Sequence, residues 1–352
     1  MDSILLNVLI PALASFAVGI LITPLVTYFL YKYKVWKKQG GKTAIGGHEA
    51  TEFNRLKSSD ETKTPRMGGI VIWGSVLITL VGTYVLSLLF PSPFLAELDY
   101  LSKSQTLIPA AALLIGAIIG FLNDFYDVTH TGKGLRLSVR LGLITTLAGF
   151  LGWWFYAKLG VTGVNIPFDG TLELGFLIIP FFILLTLMLY ASGVIDGIDG
   201  LSGGVFASIF TAYAGIAIVQ SQFDLAVFCA TVVGGIMAFL WFNIPPARFW
   251  MTETGSMALT LSLATVVFMT DSLGDGHGIS LLLIVGLPLI ATVTSNVLQI
   301  SYRKMTGKKL FRIAPLHHHF EAIGWPSYKV TMRYWIISVF CAVVGVIFAT
   351  IA

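Results

Sequence analysis

Charged residues are scarce in this chain of 352 residues, since Asp, Glu, Lys and Arg make up only 11% of it. Soluble domains carry roughly a quarter charged residues, so this scarcity excludes a water-soluble fold. The chain also has only two cysteines, Cys229 and Cys341, and both lie in apolar stretches. Such cysteines behave as small hydrophobic residues and indicate neither a disulfide framework nor redox chemistry. Apolar residues take the place of charge, at 56% of the total.

The apolar residues form ten runs, each close to the roughly 20 residues that a helix needs to cross a bilayer. We therefore predict an all-α integral membrane protein with about ten transmembrane helices in a single domain, residues 1–352. The first run has no basic segment or cleavage site before it, which indicates a retained helix and not a signal peptide. Pro288 in the ninth run predicts a kink or break. The runs lie at about 4–31, 69–90, 107–123, 135–157, 174–192, 201–219, 225–242, 256–270, 279–300 and 334–351.

Lysine and arginine are distributed unequally among the loops. The loops after the first, third, fifth, seventh and ninth runs, with their flanks, hold 20 of the 22 Lys and Arg residues. Only Lys103 and Lys158 lie on the opposite side. The positive-inside rule makes the rich set cytoplasmic, and an even number of spans then predicts both termini outside.

Acidic residues on the basic side lie at the ends of the apolar runs. Asp124 and Asp127 follow the third run, Asp196 and Asp199 follow the fifth, and Glu253 precedes the eighth. A carboxylate at a membrane boundary is costly unless it is paired or bound to a cation. Several carboxylates together suit Mg²⁺, which takes oxygen ligands and commonly bridges to phosphate. A helix cap or a surface charge is the commoner explanation for any single one, but the five together predict a functional site.

Two glycine-containing segments accompany these acids. Residues 193–204 place Asp196 and Asp199 among five glycines, which suits either an anion at a helix start or a tight turn with Asp caps. Residues 63–69, Lys-Thr-Pro-Arg-Met-Gly-Gly, open the second run. They indicate either an anion-facing helix start or a positive-inside anchor.

Three histidines stand together in the last basic loop, at positions 317–319, with Lys308, Lys309 and Arg312 before them. Adjacent histidines cannot all face one metal from a helix. They can present donors and partial positive charge to phosphate oxygens near neutral pH. Adventitious metal binding is the alternative interpretation.

Together these residues resemble the polyprenyl-phosphate N-acetylhexosamine-1-phosphate transferase superfamily, and within it the phospho-N-acetylmuramoyl-pentapeptide transferase family. The resemblance covers almost the whole chain. Its most specific element is residues 314–321, Ala-Pro-Leu-His-His-His-Phe-Glu, with Gly324 and Trp325 after them. This element is similar to the triple-histidine signature that separates the family from its N-acetylglucosamine relatives. The other matching segments are Thr64-Pro65 with Met67-Gly68-Gly69, residues 196–200, Phe242-Asn243 with Pro246-Ala247-Arg248, and Thr254-Gly255-Ser256.

The resemblance implies an Mg²⁺-dependent phosphoglycosyl transferase of peptidoglycan synthesis. Such an enzyme moves phospho-N-acetylmuramoyl-pentapeptide from its UDP carrier to undecaprenyl phosphate, giving lipid I and UMP. The implied location is the bacterial plasma membrane, with a multi-pass chain and a cytoplasmic active site. The implied partners are UDP-N-acetylmuramoyl-pentapeptide, undecaprenyl phosphate, the lipid bilayer and a second copy of the chain in a homodimer. We expect no nucleic-acid partner.

The resemblance also assigns roles to individual residues. Glu253 and Asp124 are the expected Mg²⁺ ligands, and Asp124 is alternatively expected to orient the lipid phosphate. Asn243 and Trp250 are expected to contact uridine, with the Trp250 ring stacked on the base. The expected catalytic residues are Asp124, Asp196, Asp199, Glu253, His317, His318 and His319, and the expected substrate-binding residues are Lys63, Thr64, Asn123, Gly197, Asn243 and Trp250.

The chain departs from the family pattern at four polar positions. Asn123 and Asp127 stand where the family has Asp and Lys, Gly193 where it has Asn, and Glu253 where it has Asp. A phosphate monoester has a second pKa near 6, so the lipid phosphate is largely dianionic and Asn123 is compatible with attack without a strong base. The alternatives are a weakened paralogue that binds lipid phosphate, a related UDP-N-acetylglucosamine transferase, and a transporter or flippase. A transporter would have mid-membrane ionisable residues and broken helices in symmetry-related halves, which we do not expect here.

Overall fold

The computed structural model describes residues 2–38, 62–102, 104–129, 134–273 and 276–351, and most of them are helical. A short antiparallel hairpin, β1 (Gly163–Ile166) and β2 (Gly170–Glu173), lies between α5 and α6. Single 3₁₀ turns at Gly175–Leu177 and Gly193–Ile195 flank α6. The helices are α1 (Asp2–Lys32), α2 (Ile70–Leu89), α3 (Pro93–Leu98), α4 (Leu107–Thr129), α5 (Leu137–Leu159), α6 (Ile178–Ser192), α7 (Leu201–Val219), α8 (Phe223–Asn243), α9 (Thr252–Ser272), α10 (Gly278–Val285), α11 (Leu287–Thr306), α12 (Leu316–Ala322) and α13 (Ser327–Ile351).

Nine of the described helices are long and apolar enough to cross a membrane, and the bent pair α10 and α11 brings the number to as many as ten. Helices suit this environment because they satisfy every backbone hydrogen bond within one segment, where lipid offers no partners. The chain is therefore an all-α, multi-pass membrane protein, as predicted.

Helix α9 is the central span of the protein. Within its most apolar window 94% of the residues are buried, against 22% for α1 and α5 and 28% for α13. Two glycines let α4 approach it closely. A Cβ at Gly116 would lie 2.7 Å from the Met257 carbonyl oxygen, and a Cβ at Gly120 would meet the Glu253 carbonyl. Small residues at such crossings let membrane helices pack backbone against backbone, so α4 and α9 hold a fixed register.

The ninth apolar run is broken, and this confirms the prediction from Pro288. Helices α10 and α11 are bent by 73° about Gly286. Pro288 lies in the first turn of α11, where a backbone N–H would have no partner within the helix. The proline therefore begins a second helical segment without a loss of helical hydrogen bonds.

The hairpin is hydrogen-bonded to the C-terminal end of α9. The Asn165 backbone N–H donates to Asp271 Oδ1 at 2.9 Å, and its side-chain amide donates to the carbonyls of Asp271 and Gly276 at 3.0 and 2.9 Å. These strands, each only four residues long, were not predicted from the sequence. The N-terminal end of α9, at Thr252, is left for the polar residues discussed below.

Candidate active site

The candidate site lies where α4 ends and α9 begins. Asp124 is fully buried, and its Oδ2 atom accepts three hydrogen bonds from α9. The donors are the Thr252 hydroxyl at 2.5 Å, the Thr254 N–H at 2.8 Å and the Thr254 hydroxyl at 2.6 Å. A carboxylate is favoured at a helix N-terminus, where backbone N–H groups lack helical partners. Asp124 therefore caps α9 from a neighbouring helix.

The acids lie slightly differently from the sequence-based expectation. Asp124 and Asp127 belong to the last turns of α4 and do not follow the helix, and both are buried, as is Asn123 before them. Glu253 belongs to the first turn of α9 and does not precede it. Both helices extend past their apolar runs because polar side chains at their ends bind one another across the junction.

Arg66 lies between two of these acids. Its Nη2 atom is 3.4 Å from Asp124 Oδ1 and 3.1 Å from Asp127 Oδ2, and only 14% of its side chain is exposed. Asn123 adjoins the pair, since its amide nitrogen is 3.5 Å from Asp124 Oδ1 and its Oδ1 accepts from the Leu135 N–H at 3.0 Å. Asn123 therefore ties the loop after α4 to the helix end.

The segment before α2 joins the site through its backbone. The N–H groups of Gly68 and Gly69 donate to the carbonyls of Trp250 and Met251 at 2.8 and 3.2 Å, and the Trp250 N–H donates to Pro65 O at 2.8 Å. A Cβ at Gly68 would meet the Phe249 ring. The two glycines thus permit close backbone approach. Their amides donate to carbonyls within the protein, and not to an anion, which was one of the two interpretations of this segment. Lys63 is exposed and Thr64 half-buried at the start of this segment.

Glu253 is bound to a second arginine. Arg140 Nη1 lies 2.7 Å from Glu253 Oε1, and the side chains are 21% and 27% exposed. The Ser256 hydroxyl lies 3.5 Å from Glu253 Oε2. Arg140 belongs to the first turn of α5, so this ion pair connects a largely exposed helix to the central one.

Asp196 and Asp199 stabilise the turn between α6 and α7. Asp196 accepts from the Ser202 hydroxyl at 2.6 Å and from the Thr252 N–H at 2.8 Å. Burial raises the pKa of the Asp196 carboxyl above its ordinary value, and these two hydrogen bonds partly offset that rise. Asp199 accepts from the Ala247 N–H at 3.1 Å and from the Trp250 indole N–H at 3.0 Å.

The amide of Asn243 is directed into the protein. Its Oδ1 atom accepts from the Gly200 N–H at 2.9 Å, and its Nδ2 atom donates to Phe249 O at 2.8 Å. The side chain is buried. Asn243 thus joins the end of α8 to the turn at Gly200 and to residues 244–251, which carry Trp250.

Two of the three histidines lie against the same turn. A Cβ at Gly197 would be 2.6 Å from His318 Nε2 and 2.8 Å from His317 Nε2, so glycine is required for this approach. His318 Nδ1 lies 2.7 Å from Glu321 Oε2, which orients the ring. His319 points elsewhere, and its Nδ1 accepts from the Arg312 N–H at 3.3 Å.

A chain of contacts therefore brings most of the predicted residues together at one end of the helix bundle. Asp124 and Asp196 share Thr252, Asp199 contacts Trp250, and Gly197 contacts His317 and His318. His319 faces away from this turn, and Lys63 lies on the exposed approach to it.

The carboxylates fit a divalent ion poorly as they stand. Asp124 Oδ2 already accepts three hydrogen bonds and its Oδ1 faces Arg66, while Glu253 Oε1 faces Arg140. Mg²⁺ needs oxygen atoms in near-octahedral positions. Within the described part of the chain, no group of three or more His, Cys, Asp or Glu residues is placed to hold a metal ion.

Sequence reasoning missed several residues that the structure makes central. Thr252, Thr254 and Ser202 bind the acids through short hydroxyl contacts. Thr254 and Ser202 lie in segments singled out from the sequence, but without a role of their own, and Thr252 lies in none of them. Arg140 did carry a signal, because a cation inside the apolar run 135–157 is a functional candidate by default. Arg66 carried one too, since it is a cation of the segment 63–69 that opens the second run.

The chain is similar to known proteins over nearly its whole length. The family model described as glycosyl transferase family 4 matches residues 106–271, which run from α4 to the end of α9. A phospho-N-acetylmuramoyl-pentapeptide-transferase of Geobacillus sp. (strain WCH70) is 34% identical over 339 residues, covering 94% of both chains. Proteins of the same name from Bacillus mycoides (strain KBAB4) and Bacillus thuringiensis (strain Al Hakam) are 31% identical over 351 residues, covering 97% of each chain.

Proposed function

The chain belongs to the phospho-N-acetylmuramoyl-pentapeptide transferase family, and from that premise we propose that it makes lipid I. It transfers phospho-N-acetylmuramoyl-pentapeptide from the UDP carrier to undecaprenyl phosphate and releases UMP, a step of peptidoglycan synthesis. The observation that carries this proposal is the contact chain from Asp124 through Thr252 and Asp196 to Gly197 and the histidines. It joins four segments that are distant in sequence at one end of the spans.

The reaction is an in-line displacement at the β-phosphorus of the UDP-sugar. An oxygen of the lipid phosphate forms a bond to that phosphorus as the bond to the bridging oxygen breaks, and UMP leaves with the bridging oxygen. The lipid phosphate is largely dianionic because its second pKa is near 6, so positioning and charge neutralisation supply most of the acceleration. The resemblance places Mg²⁺ at Glu253 and Asp124. Guanidinium groups face both carboxylates, so no step of the proposed reaction is assigned to Mg²⁺.

The residues around the turn after α6 bind the donor in this proposal. Asp199 holds the Trp250 indole N–H, which orients the ring so that one face stacks on uracil. Asn243 positions the loop that carries Trp250. His317 and His318, against Gly197, contact phosphate or sugar oxygens.

The remaining residues receive the acceptor or support the site. Asp124 orients the lipid phosphate through the start of α9, and Asp196 shapes the nucleotide side of the site through Thr252. Lys63 and Thr64 lie on the approach from the basic loop, where they meet incoming phosphate. His319 supports the loop that holds the other two histidines.

The proposed setting is the bacterial plasma membrane, with the site on the cytoplasmic face and both termini outside. The excess of Lys and Arg on the loops beside the site supports this orientation. The lipid-facing spans suit direct entry of undecaprenyl phosphate from the bilayer. A homodimer is proposed on family resemblance alone.

A second candidate function is lipid-phosphate binding without turnover. The observation that favours it is that Arg66 and Arg140 already engage the acids that the family pattern gives to catalysis. A transporter is less well supported, because the described residues contain one broken helix and not a symmetric pair.

The test uses purified protein in lipid nanodiscs with radiolabelled UDP-N-acetylmuramoyl-pentapeptide, undecaprenyl phosphate and Mg²⁺. We expect label in the lipid fraction and none when UDP-N-acetylglucosamine replaces the donor. Equal product from UDP-N-acetylglucosamine would favour the related transferase. Retention of undecaprenyl phosphate without product would favour the binding protein. Glu173→Gln, on the exposed strand β2 at the opposite end of α9, is the control variant.

A further inference from the structure

Two arginines occupy the positions beside the acids where a metal ion was expected. Arg66 bridges Asp124 and Asp127, and Arg140 pairs with Glu253 at 2.7 Å. Both cations come from outside the acidic segments, Arg66 from the turn before α2 and Arg140 from the start of α5. The positive charge that offsets this acidic cluster is therefore built into the chain.

The donors around Asp124 leave little room for a metal ion. A metal ligand must offer a lone pair, but Asp124 Oδ2 accepts from two hydroxyl groups and one backbone N–H. The backbone donor is the Thr254 N–H in the first turn of the central helix α9, and a backbone group cannot rotate away as a side chain can. A metal ion could bind Oδ2 only if the junction between α4 and α9 opened, whereas Asp124 Oδ1 and Glu253 Oε1 are occupied by Arg66 and Arg140.

Guanidinium groups are also suited to the chemistry of phosphate. Arg stays protonated at all working pH values and presents several N–H groups in a planar fork that matches two phosphate oxygens. The Arg140 Nε–H group is buried and has no hydrogen-bond partner among the described residues. Arg140 thus has a donor to offer while its Nη1 atom remains on Glu253.

We propose that Arg66 and Arg140 replace a divalent cation in this protein, so that the site binds a nucleoside diphosphate without Mg²⁺. The two guanidinium groups contact the diphosphate oxygens. The acids bind these guanidinium groups instead of a metal ion. The inference rests on the proposed function only for the identity of the anion. The absence of a metal site rests on the hydrogen bonds of Asp124 and Glu253.

The first experiment measures metal binding directly. Mn²⁺ is titrated into the protein in neutral-lipid nanodiscs and followed by electron paramagnetic resonance, with empty nanodiscs as the blank. We expect no site in the wild type, one site per chain in Arg66→Ala/Arg140→Ala, and loss of that site when Asp124→Asn is added. A stoichiometric wild-type site that Glu253→Gln abolishes would overturn the proposal.

The second experiment measures UDP binding by calorimetry in EDTA and in Mg²⁺. We expect dissociation constants within about twofold of each other, and roughly tenfold weaker binding in Arg140→Ala. Arg303→Ala, at the exposed end of α11, is the matched control and is expected to bind as the wild type does. Arg140→Lys keeps the charge and tests the proposal if the alanine variant fails to fold. We expect it to bind UDP more weakly than the wild type and more tightly than Arg140→Ala.

Loss of UDP binding in EDTA, or no UDP binding in either buffer, would overturn the proposal. Failure of the proposed function has a different signature. A protein that binds UDP equally in EDTA and Mg²⁺ but forms no lipid I would refute the transferase assignment and leave the metal-independent site standing.

Discussion

Replacing Thr252 with valine removes one hydroxyl group from the junction of α4 and α9 and keeps the shape of the side chain. The hydroxyl donates to Asp124 Oδ2 at 2.5 Å and accepts from the Met67 N–H at 3.0 Å. A hydrogen bond to a charged group contributes about 1.5–3 kcal/mol and a neutral one about 0.5–1.5 kcal/mol. We therefore expect the free energy of unfolding to fall by roughly 3 kcal/mol. Thr and Val are both β-branched, so the strain of the left-handed backbone, φ +54° at this residue, is the same in both.

Thermal unfolding of the purified protein, followed by tryptophan fluorescence, measures this loss. We expect a Tm lower by about 5 °C in Thr252→Val and nearly unchanged in Thr252→Ser, which keeps the hydroxyl. Thr260→Val is the matched control, because Thr260 is buried in the same helix but its hydroxyl bonds only to carbonyls one turn earlier. Equal stability of Thr252→Val and Thr260→Val would refute this explanation of the junction.

Three further changes test other parts of the site. Gly120→Ala places a Cβ against the Glu253 carbonyl and shifts the start of α9, so we expect at least a roughly tenfold loss of lipid I formation; Gly82→Ala, where a Cβ meets nothing within 4 Å, should retain activity. Burial in the folded state raises the pKa of Asp196 above its ordinary value of 3.8. The wild type should therefore lose stability relative to Asp196→Asn as pH rises from this ordinary value through the pKa of the folded state. Tm measured against pH for both proteins checks this, and a difference growing in favour of the wild type would contradict it. Glu253→Ala leaves Arg140 without its partner carboxylate and should abolish transfer, while Glu173→Ala should not; retained transfer in Glu253→Ala would show that transfer does not need the Arg140–Glu253 pair.

The membrane spans were predictable because the physical requirement is simple. A segment of about 20 apolar residues has few alternatives to a transmembrane helix, and Pro288 marked the break between α10 and α11 in advance. The helix ends were less predictable. Helix α9 begins at Thr252 and α13 at Ser327, both before their apolar runs. Hydrogen bonds to Asp124 and to Glu321 stabilise these polar first turns.

The identities of the main acids and of the histidine segment were also evident from the sequence, but their partners were not. Arg140 was counted among the charges that set orientation, yet it pairs with Glu253, which is 113 residues away. An anion-facing helix start was one of the two interpretations of the segment that contains Gly68 and Gly69, whereas their amides bind carbonyls of residues 250 and 251. Long-range pairing of this kind follows from how helix ends meet in space, which no local pattern contains.

Formation of lipid I by the purified protein tests the transferase assignment most directly. Wild-type protein is expected to release one UMP for each labelled lipid formed. Asp124→Asn removes the charge that three donors of α9 contact, and it is expected to form none. A folded wild-type protein that yields no lipid product, with both substrates present, would contradict the assignment.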